Sequence, residues 1–374
     1  MLPIQMVDLK KQYQHIKEDI DKGIHAVLDS SAYINGKPVQ DFADSLASYL
    51  GVKHVIPCAN GTDALQIAMM ALDLQPGDEV ITPSFTYVAT TEVIALLRLK
   101  PVFAEVNKQD FCIDPEAIRK AITPKTKAIV PVHLYGQAAN MEAIMQIANE
   151  HKLFVIEDNA QAIGSNFTFS DGNTKKTGTI GTIGTTSFFP SKNLGCYGDG
   201  GAIFTDDAAL ANKLKMIANH GQSKRYYHDM VGCNSRLDTI QAAVLNVKLK
   251  KLDEYIDARR NAADFYDRAF ANHPKLTIPF RATYTKHVFH QYTLLVEENR
   301  DGLHQFLALN NIPSMIYYPV PAHRQQMFAA FGGGSYQLPD TDWLTERVIS
   351  LPIHTEMDNE QLTLIASKVL EYIN

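Results

Sequence analysis

Seven short apolar runs with turn residues between them lie in the first 206 residues, and this alternation constrains the fold more than any other feature of the chain. Helical patterns at 62–72 and 141–151 separate several of these runs. Strands that alternate with helices predict an α/β protein with a layered sheet. Only a short turn separates the last two runs, so we expect them to pair antiparallel in a seven-stranded, mostly parallel sheet. The predicted strands are 55–58, 79–83, 101–106, 128–134, 154–157, 185–189 and 201–205.

Lys192 stands in that short turn, five residues after Ser187 and just before the glycine-rich segment 195–201. A lysine amine in this position could bind pyridoxal 5'-phosphate (PLP) covalently, and the serine hydroxyl would then reach the cofactor phosphate. Lysines beside glycine turns are common, however, and most of them are simply solvated. The turn alone therefore leaves a cofactor lysine and a surface lysine as alternatives.

Asp158 is a second candidate, because it falls where the buried apolar run 153–156 would end as a strand. Ligands of open α/β sheets bind just beyond the carboxyl ends of the strands. PLP needs a carboxylate at such a place, because a protonated ring nitrogen makes the ring an electron sink. As an isolated residue, Asp158 would be better interpreted as the cap of a following helix. Its occurrence with Lys192, 34 residues later, favours the acidic partner of a cofactor.

A small polar turn at 58–63 supplies a candidate phosphate site. An apolar run leads into this turn, and an apolar helical pattern follows it. Backbone amides at the start of a helix bind anions, Gly61 lets the backbone approach closely, and Thr62 adds a hydroxyl. The segment lacks the GKS or GKT ending of a Walker loop, so we expect it to hold a cofactor phosphate rather than a transferable one.

Five blocks of the sequence resemble the nucleotide-sugar aminotransferases, a family of fold-type-I PLP enzymes. Segments 188–204 and 220–227 are most similar to the branch that acts on UDP-2-acetamido-2-deoxy-3-oxo-glucuronate. The resemblance extends from 7 to 354 and implies a large PLP-binding domain with a smaller C-terminal α/β domain. The blocks are 60–63, 82–90, 157–161, 187–201 and 232–243.

The resemblance implies a role for each residue of the cofactor site. Lys192 would carry PLP and then act as general base and acid. Asp158 would pair with the ring nitrogen. Gln161, three residues on and expected on the same helix face, would contact the ring hydroxyl, although a lone glutamine is more often a surface residue. The phosphate would be bound by Gly61, Thr62 and Ser187.

An aromatic side chain is expected on the face of the PLP ring. By its match to the family, Tyr87 would stack there, with Phe85 as the competing candidate two residues earlier. A tyrosine in an apolar run is by default a core residue. Plain core packing is therefore the alternative for Tyr87.

Two further segments are expected to complete the site. Asn234 matches the family residue that reaches the PLP phosphate of a neighbouring subunit, so the resemblance implies a homodimer with shared active sites. Arg236 could pair with a sugar carboxylate or form a structural salt bridge. The segment 317–323 resembles the loop lining the nucleotide-sugar pocket, although Ala322 stands where relatives usually have leucine and members near the glucuronate branch can lack the histidine. Its candidate substrate-binding residues are Tyr317, Tyr318 and His323.

The length of 374 residues predicts two domains rather than one core. Apolar residues recur at helical spacing from Leu237 to Val247 and polar sequence continues towards Phe270, which predicts one long connecting helix. Short strands are expected near 286–296 and a final amphipathic helix near 359–372. The predicted domains are an N-terminal segment 1–30 packing with the small domain, a large PLP-binding domain 31–245 and a small domain 246–374.

Composition and charge argue against several classes of protein. A net charge of −6, with lysines and arginines spread along the chain, gives no support for nucleic-acid binding. The four cysteines show neither metal spacing nor a disulfide framework, so we expect no metal and a reducing, cytoplasmic location. The N-terminus lacks the order of a signal peptide, and no apolar run approaches the length of a membrane span.

The resemblance therefore implies an aminotransferase for cell-surface polysaccharide or lipopolysaccharide biosynthesis. It would move an amino group from an amino acid, with glutamate as the expected donor, to a keto carbon of a nucleotide-linked sugar. UDP-2-acetamido-3-keto-glucuronate is the favoured acceptor, and a dTDP- or UDP-linked 3- or 4-keto-6-deoxy sugar is the alternative. A sugar dehydratase of this fold would carry histidine at the lysine position, so Lys192 argues against it. A non-enzymatic regulator is the remaining alternative, and the intact cofactor set argues against it.

Overall fold

All seven strands predicted from the sequence are present in the structure, a computed structural model that describes residues 4–374. The first three residues of the predicted segment 1–30 lie outside the described residues. The predicted strand 128–134 is shorter than expected, because regular pairing stops at Ile129. The strands are β1 His54–Cys58, β2 Glu79–Pro83, β3 Lys100–Ala104, β4 Thr126–Ile129, β5 Phe154–Asp158, β6 Asn166–Thr168, β7 Thr174–Lys176, β8 Ile183–Ser187, β9 Gly201–Thr205, β10 Gln222–Lys224, β11 Tyr227–His228, β12 Leu276–Thr277, β13 Tyr292–Val296 and β14 Val348–Leu351.

One large sheet contains seven of these strands in the order β1-β9-β8-β5-β4-β2-β3. β9 pairs antiparallel with β1 and β8, and the other neighbours pair in parallel. This confirms the predicted seven-stranded, mostly parallel sheet and its antiparallel last pair. β5 lies at the centre of the order, so its carboxyl end, Asp158, lies in the middle of the sheet edge where ligands of α/β proteins bind.

Helices cover the sheet, and two of them confirm the helical patterns named above. Asn60 is the N-cap of the helix Gly61–Ala71 (α4), and its Oδ1 accepts a hydrogen bond from the Asp63 amide at 2.8 Å. α7 begins in the same way at Asn140, an arrangement typical of N-cap residues. The helices are α1 Leu9–His15, α2 Lys17–Ser30, α3 Lys37–Leu50, α4 Gly61–Ala71, α5 Ala89–Leu96, α6 Pro115–Ala121, α7 Met141–His151, α8 Ala208–Ala218, α9 Thr239–Leu249, α10 Leu252–Phe270, α11 Arg300–Leu309, α12 Pro339–Thr345 and α13 Asn359–Ile373.

The single long helix predicted from 237 towards 270 is wrong, since α9 and α10 are separate helices. At the break, the amide of Lys251 donates to the carbonyl oxygen of Lys248 at 2.9 Å, three residues back instead of four. This tighter turn interrupts the regular helical pattern. Leu249 and Leu252, on either side of it, both pack in one apolar cluster with the lysine turn.

A second sheet, in the order β12-β13-β14, lies in the C-terminal part of the chain. Its strands pair antiparallel and share an apolar core with α10, α11 and α13. The strand expected near 286–296 begins only at Tyr292, because the preceding backbone bonds elsewhere. The amides of Val288 and Gln291 donate to the carbonyl oxygens of Gly136 and Tyr135, at 2.9 and 3.3 Å. The predicted final helix is confirmed as α13.

The beginning of the chain contacts this C-terminal part. Gln12 Nε2 donates to Thr355 Oγ1 at 3.3 Å, and His15 Nδ1 lies 2.9 Å from the carboxylate of Glu356. Ile4 is buried in the same apolar core as the second sheet. The N-terminal residues therefore lie against the C-terminal core.

Two kinds of feature are absent from residues 4–374. No helix there combines the length and the apolarity that crossing a bilayer requires. No group of three or more histidine, cysteine, aspartate or glutamate side chains in that range is arranged to hold a metal ion.

Candidate active site

Asp158 lies buried at the carboxyl end of β5, with both carboxylate oxygens bonded. Oδ2 accepts a hydrogen bond from Thr90 Oγ1 at 2.8 Å, and Oδ1 accepts one from the Ala160 amide at 3.1 Å. The residues that follow form a turn, so Asp158 caps no helix and the expected common helix face with Gln161 is wrong. The carboxylate is instead held at the carboxyl-terminal end of the central strand, where a ligand could contact it.

Gln161 is a buried residue of the site and not a surface glutamine. Its Oε1 accepts a hydrogen bond from the Tyr135 amide at 2.7 Å, and its Nε2 donates to Tyr318 Oη at 3.0 Å. The side chain thus joins the turn after β5 to the 317–323 loop. Its position is fixed by bonds at both ends.

Lys192 lies in the turn between β8 and β9, and its amide donates to the carbonyl oxygen of Phe189 at 2.8 Å. The turn is tight: a Cβ at Gly195 would lie 2.3 Å from the carbonyl oxygen of Pro190. Burial lowers the pKa of the Lys192 amine to about 8, because the ammonium loses water, while the charge of Asp158 acts in the opposite direction. About a tenth of the amine is therefore uncharged at pH 7, far more than for a lysine of ordinary pKa, and the uncharged form is what a nucleophile or base requires.

The predicted phosphate residues meet at one place. A Cβ built on Gly61 would lie only 2.7 Å from the Cβ of Ser187, so the start of α4 and the end of β8 are in direct contact. Thr62 follows in the first turn of α4, whose leading amides have no partners within the helix. The start of α4 and Ser187 thus form a cradle of amides and hydroxyls, and a side chain larger than glycine at 61 would clash with Ser187.

These residues fit PLP by their chemistry. The cofactor has an aldehyde that a lysine amine can bind, a ring nitrogen that pairs with a carboxylate, and a phosphate that suits a helix N-terminus. Lys192, Asp158 and the Gly61 cradle supply one partner for each group. All three lie at the ends of sheet strands or at the helix start beside them.

The structure distinguishes the two aromatic candidates. Phe85 is fully buried and packs against Phe111 and Tyr135, with ring centroids 6.2 and 6.5 Å away. Tyr87 is 57% exposed, and its ring centroid lies 6.1 Å from that of Tyr318. Core packing therefore applies to Phe85, while Tyr87 has a free face for a ligand.

The 317–323 loop divides into an accessible part and a buried part. Tyr317 and Tyr318 are partly buried, and the carbonyl oxygen of Tyr317 accepts a hydrogen bond from the Tyr135 hydroxyl. His323 is only 1% exposed, and its Nδ1 lies 2.7 Å from Ser84 Oγ. Burial lowers the pKa of its imidazole.

Asn234 and Arg236 lie on a segment beside the phosphate turn. The Ala59 amide donates to Ser235 Oγ at 3.0 Å, which anchors the segment there. Asn234 is exposed. Arg236 Nη1 lies 3.5 Å from Asn219 Oδ1. Within residues 4–374 Arg236 makes no ion pair, so its alternative role in a structural salt bridge is not supported. Arg236 lines a surface groove between α3 and α8.

Two buried side chains at Asp158 were given no role from the sequence: Thr90, which bonds to it, and Glu157, which precedes it. Thr90 bonds its carboxylate directly and belongs to the block 82–90 already singled out. Glu157 is fully buried and accepts hydrogen bonds from His133 Nε2 at 2.9 Å and from the amides of Ile180 and Gly181 at 2.6 Å. Its position next to Asp158 in the sequence was the available signal.

Comparison with known proteins gives consistent matches along the whole chain. The model of the DegT/DnrJ/EryC1/StrS aminotransferase family matches residues 14–370. The UDP-2-acetamido-2-deoxy-3-oxo-D-glucuronate aminotransferase of Pseudomonas aeruginosa is 44% identical, over 97% of this chain and 99% of its own length. A "pleiotropic regulatory protein" of Geobacillus stearothermophilus is also 44% identical, over 99% and 98%.

A solved structure also matches along the full length of this chain. The crystal structure of NtdA from Bacillus subtilis with bound cofactor PMP, the amino form of PLP, has a TM-score of 0.92 and 32% sequence identity. The match covers all of this chain and 86% of that one. A cofactor of the predicted type is thus bound by a protein of the same architecture.

Proposed function

This chain belongs to the DegT/DnrJ/EryC1/StrS aminotransferase family, whose members use PLP, and on that premise we propose its substrates. The amino group of an amino acid, which we take to be glutamate, passes to the 3-keto carbon of UDP-2-acetamido-3-keto-glucuronate. The 44% identity to the Pseudomonas aeruginosa enzyme over nearly the full length supports this acceptor. We place the reaction in the cytoplasm, in the synthesis of cell-surface polysaccharide such as lipopolysaccharide.

Each side chain of the site would have its own role in such a transfer. PLP, when bound, supplies the electron sink at which an amino group is exchanged for a keto group. Lys192 Nζ would hold the cofactor covalently and, when free, take the α proton of the amino donor. Asp158 would keep a proton on the ring nitrogen, and Tyr87 would cover one ring face. The remaining proposed cofactor residues are Gly61, Thr62, Gln161, Ser187 and Asn234.

For the sugar we propose contacts on two segments. Tyr317 and Tyr318 lie in the same loop, and the contact between the rings of Tyr87 and Tyr318 supports their place at the entrance to the site. Arg236 is our candidate for the sugar carboxylate, because it makes no ion pair within residues 4–374. His323, expected in this group, belongs to the buried end of that loop and is only 1% exposed.

We also retain the domain division into an N-terminal segment 1–30, a large domain 31–245 and a small domain 246–374. The separate apolar core of the second sheet supports the small domain. The contacts of Gln12 and His15 with Thr355 and Glu356 support the assignment of the N-terminal segment to it.

A single assay tests the proposed function. Purified protein is incubated with PLP, glutamate and each of several nucleotide keto-sugars, and the products are measured by mass. We expect amination of the UDP-linked 3-keto-glucuronate in preference to all other sugars. Preference for a dTDP- or UDP-linked 3- or 4-keto-6-deoxy sugar would overturn the acceptor, and amination of no sugar in the panel would favour a regulatory role like that named for the Geobacillus relative.

Arg236→Ala is expected to weaken use of the uronate far more than use of the matching uncharged hexose. Removing one partner of a buried charge pair costs about 2–5 kcal/mol, and only the uronate has such a partner. The measurement is kcat/KM for both sugars with each protein. An equal loss on both would assign Arg236 a structural role.

We propose further that the enzyme is a homodimer whose sites are shared through Asn234. Inactive Lys192→Ala and Asn234→Ala chains should then regain activity when they are mixed and exchange partners. In a 1:1 mixture the hybrids should restore about a quarter of the wild-type activity, since half the dimers are hybrids with one complete site each. If Asn234 serves the site of its own chain, every hybrid site lacks one residue and no activity returns. The test requires Asn234→Ala to be strongly impaired by itself.

A further inference from the structure

We propose that His323 is a positioning residue that, together with Ser84, ties the loop carrying Tyr318 to the loop carrying Tyr87 and so sets the opening for the sugar substrate. This inference rests on the proposed function, because the sugar is the ligand for which the opening is set. The sequence offered His323 only as a pocket-lining side chain. Its contacts assign it a different task.

The connection between the two loops consists of three hydrogen bonds to one residue. Ser84 Oγ lies 2.7 Å from His323 Nδ1 and accepts a hydrogen bond from the His323 amide at 3.1 Å. The Ala322 amide donates to the carbonyl oxygen of Ser84 at 2.9 Å. Ser84 and His323 are 0% and 1% exposed, so water does not compete for these bonds. We call this group of contacts the Ser84–His323 clamp.

The clamp superficially resembles the triad of a serine hydrolase. Asp342 Oδ1 lies 3.7 Å from His323 Nε2, on the side of the ring opposite Ser84. A nucleophile must be reached by its substrate, and Ser84 has no exposed surface. Its Oγ also accepts the amide hydrogen of His323. The arrangement therefore holds two loops together and has no means of attacking a substrate.

Each end of the clamp is close along the chain to an aromatic side chain of the site. Ser84 is three residues before Tyr87, and His323 is five residues after Tyr318. The two tyrosine rings face each other at 6.1 Å, and the Tyr318 hydroxyl is held by Gln161 at 3.0 Å. Loosening the clamp would let the Tyr318 loop move relative to Tyr87 while leaving Lys192 and Asp158 in place.

This separation gives the clamp a distinctive kinetic signature. Lys192, Asp158 and the phosphate cradle belong to the large sheet and its helices, and none of them bonds to the 317–323 loop directly. Gln161 is the proposed cofactor residue that bonds to this loop, through Tyr318. The half-reaction with the amino donor should therefore depend on the clamp much less than the half-reaction with the sugar does. Binding of the nucleotide-sugar should be sensitive, since a misplacement of about 1 Å can cost up to about 100-fold.

The kinetic test compares four variants. Ser84→Ala and His323→Leu should raise KM for the UDP-keto-sugar about tenfold or more and change kcat less than about threefold. His323→Asn should restore most of the wild-type KM, because its Oδ1 can accept from the serine hydroxyl in place of Nδ1. Gln326→Ala, a change at an exposed residue three positions beyond His323, is the control and should match the wild type. Loss of kcat at unchanged KM would overturn the proposal.

Hydrogen exchange supplies a readout that needs neither substrate nor cofactor. In the apo protein, Ser84→Ala should accelerate exchange of the His323 amide about tenfold or more, because it donates to Ser84 Oγ in the wild type. The Ala322 amide donates to the Ser84 carbonyl oxygen, which the variant keeps, and should change less. His323→Asn should leave their exchange near the wild-type rate. If His323→Leu fails to fold, Ser84→Ala and His323→Asn still decide the matter.

The two measurements separate this inference from the proposed function. Faster exchange in Ser84→Ala, with no sugar aminated by the wild type, would support the clamp and reject the proposed acceptor chemistry. Unchanged exchange in Ser84→Ala, with normal amination by the wild type, would reject the clamp and leave the proposed function intact.

Discussion

Replacement of Lys192 by alanine is expected to abolish turnover while the protein still folds. The amine is the only proposed covalent attachment for PLP and the proposed base, and a positioned base alone contributes about 10²–10⁴-fold. Its burial lowers its pKa to about 8, because burying the ammonium costs free energy. Removing the amine should therefore not weaken the fold. Steady-state amination and the thermal unfolding temperature of the variant check both parts.

Lys248 offers a matched control for this experiment. It is also a buried lysine whose pKa burial lowers to about 8, but it lies over the ring of Tyr197, 4.5 Å from the centroid, and not in the site. After borohydride reduction in the presence of PLP, mass should be added at residue 192 in the wild type and in Lys248→Met, and not in Lys192→Ala. Substantial transamination by Lys192→Ala would contradict the assignment of Lys192 as the cofactor lysine and base.

The large sheet could be predicted because its signals are local. Each strand is a short apolar run, and the segment 188–200 that carries Lys192 has no helical pattern of its own, which favours an antiparallel return between β8 and β9. The position of Asp158 followed from the same logic, since the end of an apolar run marks the end of a parallel strand. Functional residues at the ends of strands, such as Asp158, can therefore be predicted from the sequence.

The parts that could not be predicted depend on contacts between distant segments. Ser84 and His323 are 239 residues apart, and no local pattern indicates that they meet. The strand expected from 286 starts late because Val288 bonds to Gly136 instead of to a strand. The break before Leu252 also goes against an unbroken helical pattern, since tertiary packing can override local propensity.

Asp158→Asn is expected to lower kcat by about 100-fold or more, the loss typical of removing one preorganised electrostatic partner. An amide cannot hold a proton on the ring nitrogen, so the ring would lose its strength as an electron sink. The fold should survive, because an asparagine oxygen can still accept from Thr90 Oγ1, which lies 2.8 Å from Asp158 Oδ2. The absorption spectrum of the bound cofactor should change together with kcat.

Thr90→Val separates the charge of Asp158 from its orientation. This variant removes one hydrogen bond to Oδ2 but leaves the carboxylate, so it should cost only about tenfold, the equivalent of about 1.4 kcal/mol. Its spectrum should stay close to that of the wild type, because the ring nitrogen still faces an anion. If Thr90→Val and Asp158→Asn lose the same activity, the contribution of Asp158 lies in its orientation of the site and not in its charge. An active Asp158→Asn enzyme with an unchanged spectrum would mean that another group is the acidic partner.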